Sequence, residues 1–312
     1  MSQMHRIGQT SGMGDHELLR DSSAGLLGSL DLVELGPDVF EGSHQRIPSG
    51  RAYGGEVVAQ AVEAMTRTVE DARPIHSLHG YFLRAADVTR ATTWEVERLR
   101  DGRTVSSRAV RGHQDGRVVF QGLASFQLAG KGPEHEVPMP TGIPGPEELP
   151  TSAEALAGTD EVRDTVYWSH ERSFDMRHWP SPVYVHVDNM NKEGDEPDFQ
   201  VVWLKSYDRL PDDPRLHRTA LAYLCDYTML EPALRRHRTA WADEGLMTAS
   251  LDHAMWWHRD DARVDEWIAF VQQSPAAGHG RGTGYGRLYT RHGELIATVM
   301  QEGVLSLPGY GG

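Results

Sequence analysis

The 312-residue chain has one cysteine, Cys225, so no internal disulfide framework can staple it. It also has no apolar run long enough for a signal peptide or a membrane span, and a soluble, reducing, cytoplasmic setting is expected. Lysine occurs only at positions 131, 192 and 205, which leaves arginine as nearly the whole basic complement. Basic residues are outnumbered, 31 against 45 acidic, giving a formal charge of −14. That balance argues against nucleic acid or a membrane surface as partner, because phosphate backbones and anionic lipids call for basic patches. An anionic small molecule would need locally placed arginine.

Several catalytic signatures are missing too. No serine has glycine at both −2 and +2, which removes the nucleophile elbow. The 16 histidines form no His-Glu-x-x-His pattern and no cysteine pair exists, so no metal site is expected. The glycine-rich run Gly278-His279-Gly280-Arg281-Gly282-Thr283-Gly284 precedes a strand pattern. It is therefore no dinucleotide fingerprint, and it reads as a flexible loop.

What the chain does have is length for two domains and an internal repeat. Ser77-Leu78 leads through an aromatic stretch to Arg84, Trp94, a hairpin at Gly116 and a closing apolar strand over 118–128. Ser250-Leu251 leads likewise to Arg259, Trp267, Gly293 and a strand over 295–307. The serine-to-tryptophan spacing is 17 in both. Overlaying Gly116 on Gly293 sets Ala124 against Gln301, a polar amide against a methyl, as expected when only one copy keeps a site.

Within the first copy, a short helix over 18–30 and a strand over 32–40, turned at Gly36-Pro37, are expected. Gly54-Gly55 starts a helix whose Val57, Val58, Ala61, Val62 and Met65 recur at helical spacing. Strands over 75–83, 92–99, 105–110 and 118–128 follow, with turns at Asp101-Gly102 and Asp115-Gly116. One helix against a meandering antiparallel sheet is an α+β unit. Residues 1–24 read as a disordered or short N-terminal segment and 25–130 as the first unit. Residues 131–165, with six prolines between 131 and 160, read as an extended linker without regular elements. The second unit spans 166–308, and 309–312 is a tail. In the second unit, 201–204 is a short strand, and Pro211-Asp212-Asp213-Pro214 opens a helix over 215–235.

Asp226 follows the apolar stretch Ala220 to Cys225 in that helix, so its carboxylate is expected to be partly buried. Burial raises a carboxylate pKa unless donors stabilise the charged form, which makes Asp226 either a structural acid or a proton acceptor. Ser250 opens a strand pattern and Gln301 interrupts the closing strand. Together the three offer an acceptor, a hydroxyl and an amide, enough to hold and deprotonate one water beside a carbonyl. Cys225 reads as inert core. His76, His79, His253 and His258 read first as structural histidines, with His76 and His79 as alternative bases. Arg84 and Arg281 could meet a phosphate.

Five motifs follow one another along the chain: Arg51-Ala52-Tyr53-Gly54-Gly55-Glu56-Val57-Val58-Ala59-Gln60-Ala61, His76-Ser77-Leu78-His79-Gly80-Tyr81-Phe82-Leu83-Arg84, Leu99-Arg100-Asp101-Gly102, Leu251-Asp252-His253-Ala254-Met255-Trp256 and Val299-Met300-Gln301-Glu302-Gly303-Val304. Together they resemble the bacterial acyl-CoA thioesterase II family. The resemblance implies a double hotdog, in which each copy wraps a curved antiparallel sheet around one helix. It implies hydrolysis of fatty acyl-CoA to free acid and CoA without metal or organic cofactor, and a homo-oligomer, dimer or tetramer. The family's catalytic trio falls on Asp226, Ser250 and Gln301, with Ser250 in place of the more usual threonine. Gly54, Gly55, His79, Arg84 and Arg281 are the expected substrate-binding residues, with Gly54 or Gly55 donating to an oxyanion. Arg84-Ala85-Ala86-Asp87 departs from the family's Arg-Pro-Gly-Asp turn. Two alternatives are an acyl-CoA sensor without catalysis and an enoyl-CoA hydratase. The hydratase would need a loop of the kind Gly-Asp-x-Asn-Pro, and none is present.

Overall fold

The computed structural model describes residues 25–159, 162, 164–187 and 199–309. The expected N-terminal segment 1–24 and residues 310–312 of the tail lie outside them. Residues 25–30 form the described part of the expected first helix.

Helix α1 (Gly54–Thr66) forms where the apolar spacing predicts it, with Val57, Val58, Ala61, Val62 and Met65 all buried. Glu56, Ala59, Gln60 and Ala64 are buried as well, so the helix is covered around most of its circumference. The cover is an antiparallel sheet of β1 (Val33–Gly36), β2 (Val39–Gly42), β3 (Ile75–Phe82), β4 (Thr92–Asp101), β5 (Val105–Gln114) and β6 (Arg117–Gln127). Asp115 and Gly116 both take positive φ between β5 and β6, the two-residue turn that matches the twist of a hairpin.

The second half repeats the plan with β7 (Phe174–Trp179), β8 (Gln200–Ser206), β9 (Met247–Ser250), β10 (Asp252–Trp257), β11 (Ile268–Gly278), β12 (Arg281–Thr290) and β13 (Leu295–Ser306). Among the described residues all thirteen strands form one sheet, joined where β3 pairs with β10. Each half therefore wraps its own helix, and the two helices pack on each other. This is the double hotdog.

The second central helix is shorter than expected. It runs as α3 (Pro214–Cys225), capped by the Asp213 side chain, and helix resumes only at α4 (Glu231–Arg236). Pro232 lies in the first turn of α4. A proline inside a continuous helix would lose a backbone bond and clash with the preceding turn, so the chain breaks first. The break turns Asp226 from a helical residue into the C-cap of α3.

Two parts of the repeat overlay shift in the structure. Trp94 lies within β4, fully buried in the main core, whereas Trp267 precedes β11 and joins a second cluster with Val201, Trp203 and Tyr289. Equal spacing thus did not place the two tryptophans alike. Pairing also moves the partner of Gln301. With Ser77 matched to Ser250, Tyr81 matches Ala254. Tyr81 faces Gln121 and Ala254 faces Met300, so Gln301 matches Gly122 and not Ala124. The shift is two residues, which keeps the side chain on the same face.

The proline-rich linker contains regular structure, against expectation: a 3₁₀ turn at Pro146–Glu148 and a helical turn α2 (Ser152–Ala155) whose Thr151 and Glu154 form a capping box. It is a strap tied to the outer face of the second half. Met139, Ile143 and Leu149 pack on the second cluster, Trp203 Nε1 donates to the Pro144 carbonyl at 3.0 Å, and Arg177 Nη1 to that of Pro146 at 2.9 Å. That cover explains why β8 is buried on both faces.

Around α1 the core contains a satisfied polar knot. Trp94 Nε1 donates to Gln60 Oε1 at 3.0 Å, while Gln60 Nε2 donates to the carbonyls of Ser29 at 2.9 Å and Ser43 at 2.7 Å. The Trp94 ring also fills the space over Gly112, where a Cβ would come within 2.5 Å of it. Trp94→Phe should lower unfolding free energy by about 2–4 kcal/mol, through a cavity and an orphaned Gln60 oxygen, as read from urea denaturation.

Candidate active site

The break after α3 presents the Asp226 carboxylate at the seam between the halves. It lies at the C-terminus of its own helix and against the N-terminus of α1. At Gly54 a Cβ would stand 2.4 Å from Asp226 Oδ2, so a side chain at that position would collide with the acid. At Gly55 a Cβ would meet the Tyr223 carbonyl at 2.1 Å. The paired glycines are what lets the two helices meet here.

Ser250 ends β9 and Gln301 lies in β13, where Gly303 pairs with Ser250. Ser250 Oγ donates to Asp226 Oδ1 at 3.0 Å. Gln301 Nε2 donates to the same oxygen at 2.6 Å and to Ser250 Oγ at 2.9 Å. The three residues expected from the sequence are therefore joined in one hydrogen-bonded triangle. Oδ1 takes both side-chain donors, and Oδ2 is the oxygen turned toward Gly54.

Residue His253 fixes the triangle's handedness. It is 1% exposed, and its Nδ1–H donates to Gln301 Oε1 at 2.7 Å. That bond commits the amide oxygen, so Nε2 must face Asp226 and Ser250. Burial holds the imidazole pKa below its usual value, which keeps the ring neutral. The sequence reading treated His253 as structural and left out its role. Its signals are its position three residues after Ser250 and its place in the Leu251-to-Trp256 motif.

Burial also pushes the Asp226 pKa up from the ordinary aspartate value. The Gln301 hydrogen bond, His253, the Ser250 hydrogen bond and the Gly55 backbone N–H act in the opposite direction. The neighbouring Cys225 thiol is raised well above its usual value by burial and by Asp226, and its Sγ donates to the Leu221 carbonyl, which fits inert core.

A cleft of about 520 Å³ opens on the triangle. From the first half it is lined by Arg51, Gly54, Phe82 and Arg84, and from the second by Arg172, Tyr227, Leu230 and Trp241, among others. Arg84 is exposed there, with Nη1 donating to the Val118 carbonyl at 2.7 Å. Two other expected binding residues are elsewhere. His79 is exposed on the outer face of the sheet, edge-on to Trp256, in a row with Leu123, Ala254 and Met300. Strand alternation puts it on the opposite face from Leu78 and the core. Arg281 pairs with Glu302 at 3.1 Å and does not line the cleft. Its glycine-rich run forms the tip of the β11–β12 hairpin, turning at His279-Gly280 with positive φ. At Gly284 a Cβ would stand 2.1 Å from the Met229 carbonyl, so this glycine serves close backbone approach.

Comparisons with known proteins bear on the family and the fold. Residues 171–304 match the family described as acyl-CoA thioesterase, and 43–127 match the acyl-CoA thioesterase N-terminal domain. The chain is 35% identical to human acyl-coenzyme A thioesterase 8 over 284 residues, 88% of this chain and 87% of that one. It is 30% identical to acyl-CoA thioesterase 2 of Haemophilus influenzae over 283 residues, 90% and 96% of the two chains. The solved structure of acyl-CoA thioesterase II TesB2 from Mycobacterium marinum shares 38% identity at a TM-score of 0.73, covering 91% of this chain and 99% of that one. Fold and relatives define a thioester hydrolase. The chain belongs to the acyl-CoA thioesterase II family.

The raised Asp226 pKa has a sign that can be checked. Ionising a group whose folded pKa exceeds its unfolded value opposes the fold, so its favourable contribution is present below the ordinary aspartate range and lost as pH rises through the raised value. Asp226→Asn should therefore melt at a higher temperature than the wild type at pH 7, with the difference shrinking toward pH 4. Scanning calorimetry across that range checks it, and a lower melting temperature at pH 7 would contradict it.

Proposed function

We propose that the protein hydrolyses fatty acyl-CoA thioesters by direct attack of a water molecule that Asp226 deprotonates. The observation that carries this reading is the Asp226–Ser250–Gln301 triangle facing an open cleft. Oδ1 already takes two side-chain donors, which leaves Oδ2 to accept the proton of a water. Ser250 and Gln301 hold the carboxylate in one orientation, and the raised pKa makes it a better proton acceptor than an exposed aspartate.

The attacking oxygen bonds to the carbonyl carbon, the carbonyl oxygen becomes an oxyanion, and collapse breaks the C–S bond. The proton held by Asp226 leaves with the CoA sulfur. In this reading Ser250 orients the carboxylate and the nucleophile is water, so no acyl-enzyme forms. For the oxyanion we assign the Gly54 N–H at the start of α1. The Tyr53 N-cap side chain makes no capping bond, and the Gly55 N–H already serves Asp226. Exposed Arg51 and Arg84 are suited to the CoA phosphates.

The reading extends to assembly and setting. Tyr81, Leu123 and Met300 are 62%, 51% and 41% exposed on the outer face of the central strands, in and beside the row that holds His79 and Ala254, and these exposed apolar side chains support a homo-oligomer, dimer or tetramer. The single Cys225, buried as a free thiol, fits a reducing cytoplasm. Light scattering on the wild type and on Leu123→Glu should show a dimer or tetramer that the substitution dissociates. A wild-type monomer would remove the oligomer.

The central test is CoA thiol release from a panel of acyl-CoAs of increasing length. Asp226→Asn should lower kcat/KM by about 10²- to 10⁴-fold, the usual range for losing a general base. The acid limb of the wild-type profile should lie above the ordinary aspartate range, because protonating Asp226 removes the base. Equal rates in the two proteins would exclude Asp226 from that role.

A further inference from the structure

Tyr53 precedes the two glycines of the site, and its side chain makes no capping bond to the helix it opens. Its hydroxyl instead crosses the seam and donates to the Tyr223 carbonyl at 2.9 Å. The ring reaches that carbonyl by lying over Gly55, where a Cβ would stand 2.6 Å from Tyr53 Cε1 and Cζ. It also stacks on Tyr227, with centroids 4.3 Å apart and planes 18° from parallel. Tyr53 thus grips the chain on both sides of Asp226. Burial and the Asp226 charge push the hydroxyl pKa well above its usual value, so the phenol stays a donor at any working pH.

Helix α3 ends at Cys225, so the Tyr223 carbonyl is one of the last four that find no partner further along the helix. The same need is met at the other end of the helix pair. Arg215, in the first turn of α3, donates from Nη2 to the carbonyl of Thr66, the last residue of α1, at 2.8 Å, and from Nη1 to Asp71. Each helix therefore has a C-terminal carbonyl taken by a side chain from the start of the other. The two clamps differ in charge. A guanidinium beside Asp226 would stabilise the carboxylate, lower its pKa and weaken the base, whereas a neutral phenol closes the seam without that effect. The phenol stands at the seam that holds Asp226, and the arginine stands at the opposite one.

We propose that Tyr53 is a positioning residue for the hydrolysis: its hydroxyl ties the last turn of α3 to the start of α1 and so holds the Asp226 carboxylate on the Gly54–Gly55 backbone. This rests on the hydrolytic reading above. The separation between that carboxylate and the Gly54 N–H assigned to the oxyanion sets where water and carbonyl meet, and a misplacement of about 1 Å can cost on the order of 10²-fold in rate. Without the hydroxyl the Tyr223 carbonyl loses its donor and the two helix ends part. Asp226 then draws back from the Gly55 N–H, one of the groups that lower its pKa.

Tyr53→Phe keeps the ring, its stack on Tyr227 and its place in the cleft wall, and removes only the donor. In CoA thiol release this variant should show kcat lowered about 10- to 100-fold with KM little changed, and an acid limb moved to higher pH. His253 and Cys225, which also feel the Asp226 charge, are the same in both proteins, so the movement of the limb reports Asp226. Arg215→Met should lower the melting temperature and leave the limb in place. An unchanged kcat in Tyr53→Phe, a uniform fall with the limb unmoved, or an equal movement in Arg215→Met would each overturn the proposal. A second measurement needs no turnover. The gain in melting temperature on Asp226→Asn at pH 7 should be larger in the Tyr53→Phe background than in wild type, and equal gains would show two independent sites and no clamp. If wild type releases CoA from no acyl-CoA, hydrolysis falls, and the melting comparison alone decides the clamp.

Discussion

One carboxylate held at a seam sets the terms for the rest of the molecule. Asp226 sits at the C-terminal end of α3, where the helix field disfavours negative charge, and against the N-terminal end of α1, where it favours it. The second effect requires the two helices to approach closely. That approach requires Gly54 and Gly55, since a side chain at either would meet Asp226 or the Tyr223 carbonyl. The hydroxyl, the amide and the imidazole behind it then follow as the donors and the brace that a desolvated acid needs.

The helix breaks directly after that acid, because Pro232 bars a continuous helix. Asp226 itself keeps helical backbone angles, φ −84° and ψ −14°. β9 and β10 are likewise interrupted at Leu251, whose N–H bonds to the Glu302 carbonyl, and the interruption leaves Ser250 opposite Gly303, close to Gln301. Irregularities in helix and strand thus coincide at the site, although the sheets carry bulges elsewhere too, such as those between Arg98 and Arg100 and between Gln273 and Ala276. Function occupies the places where the local pattern is broken.

Much of this was legible in the sequence. The periodicity of Val57, Val58, Ala61, Val62 and Met65 fixed α1, and Asp115-Gly116 fixed a hairpin, because both rest on local rules. The trio could be assembled from an acceptor, a hydroxyl and an amide, and the family resemblance pointed to the same residues. Other features were set by pairing that no local rule reports. The face of His79 depends on strand parity, and the match of Gln301 to Gly122 depends on register across β13. Glycine density around Gly280 looked like flexibility but reflected a tight turn and a crowded backbone.

The pairing of β3 with β10 has a consequence for how such a protein can evolve. Matching Ser77 with Ser250 puts Gly80 opposite His253, on the local two-fold axis that relates the halves. In a dimer of identical units, that axis would set the same residue against its own copy. Two histidines would meet there, whereas here the place over Gly80 is filled by the Phe120 ring, 2.3 Å from where a Cβ would stand. Joining the units in one chain lifts that symmetry requirement. One half can then carry the polar site while the other fills the equivalent place with apolar core, which leaves one such site per pair of folds.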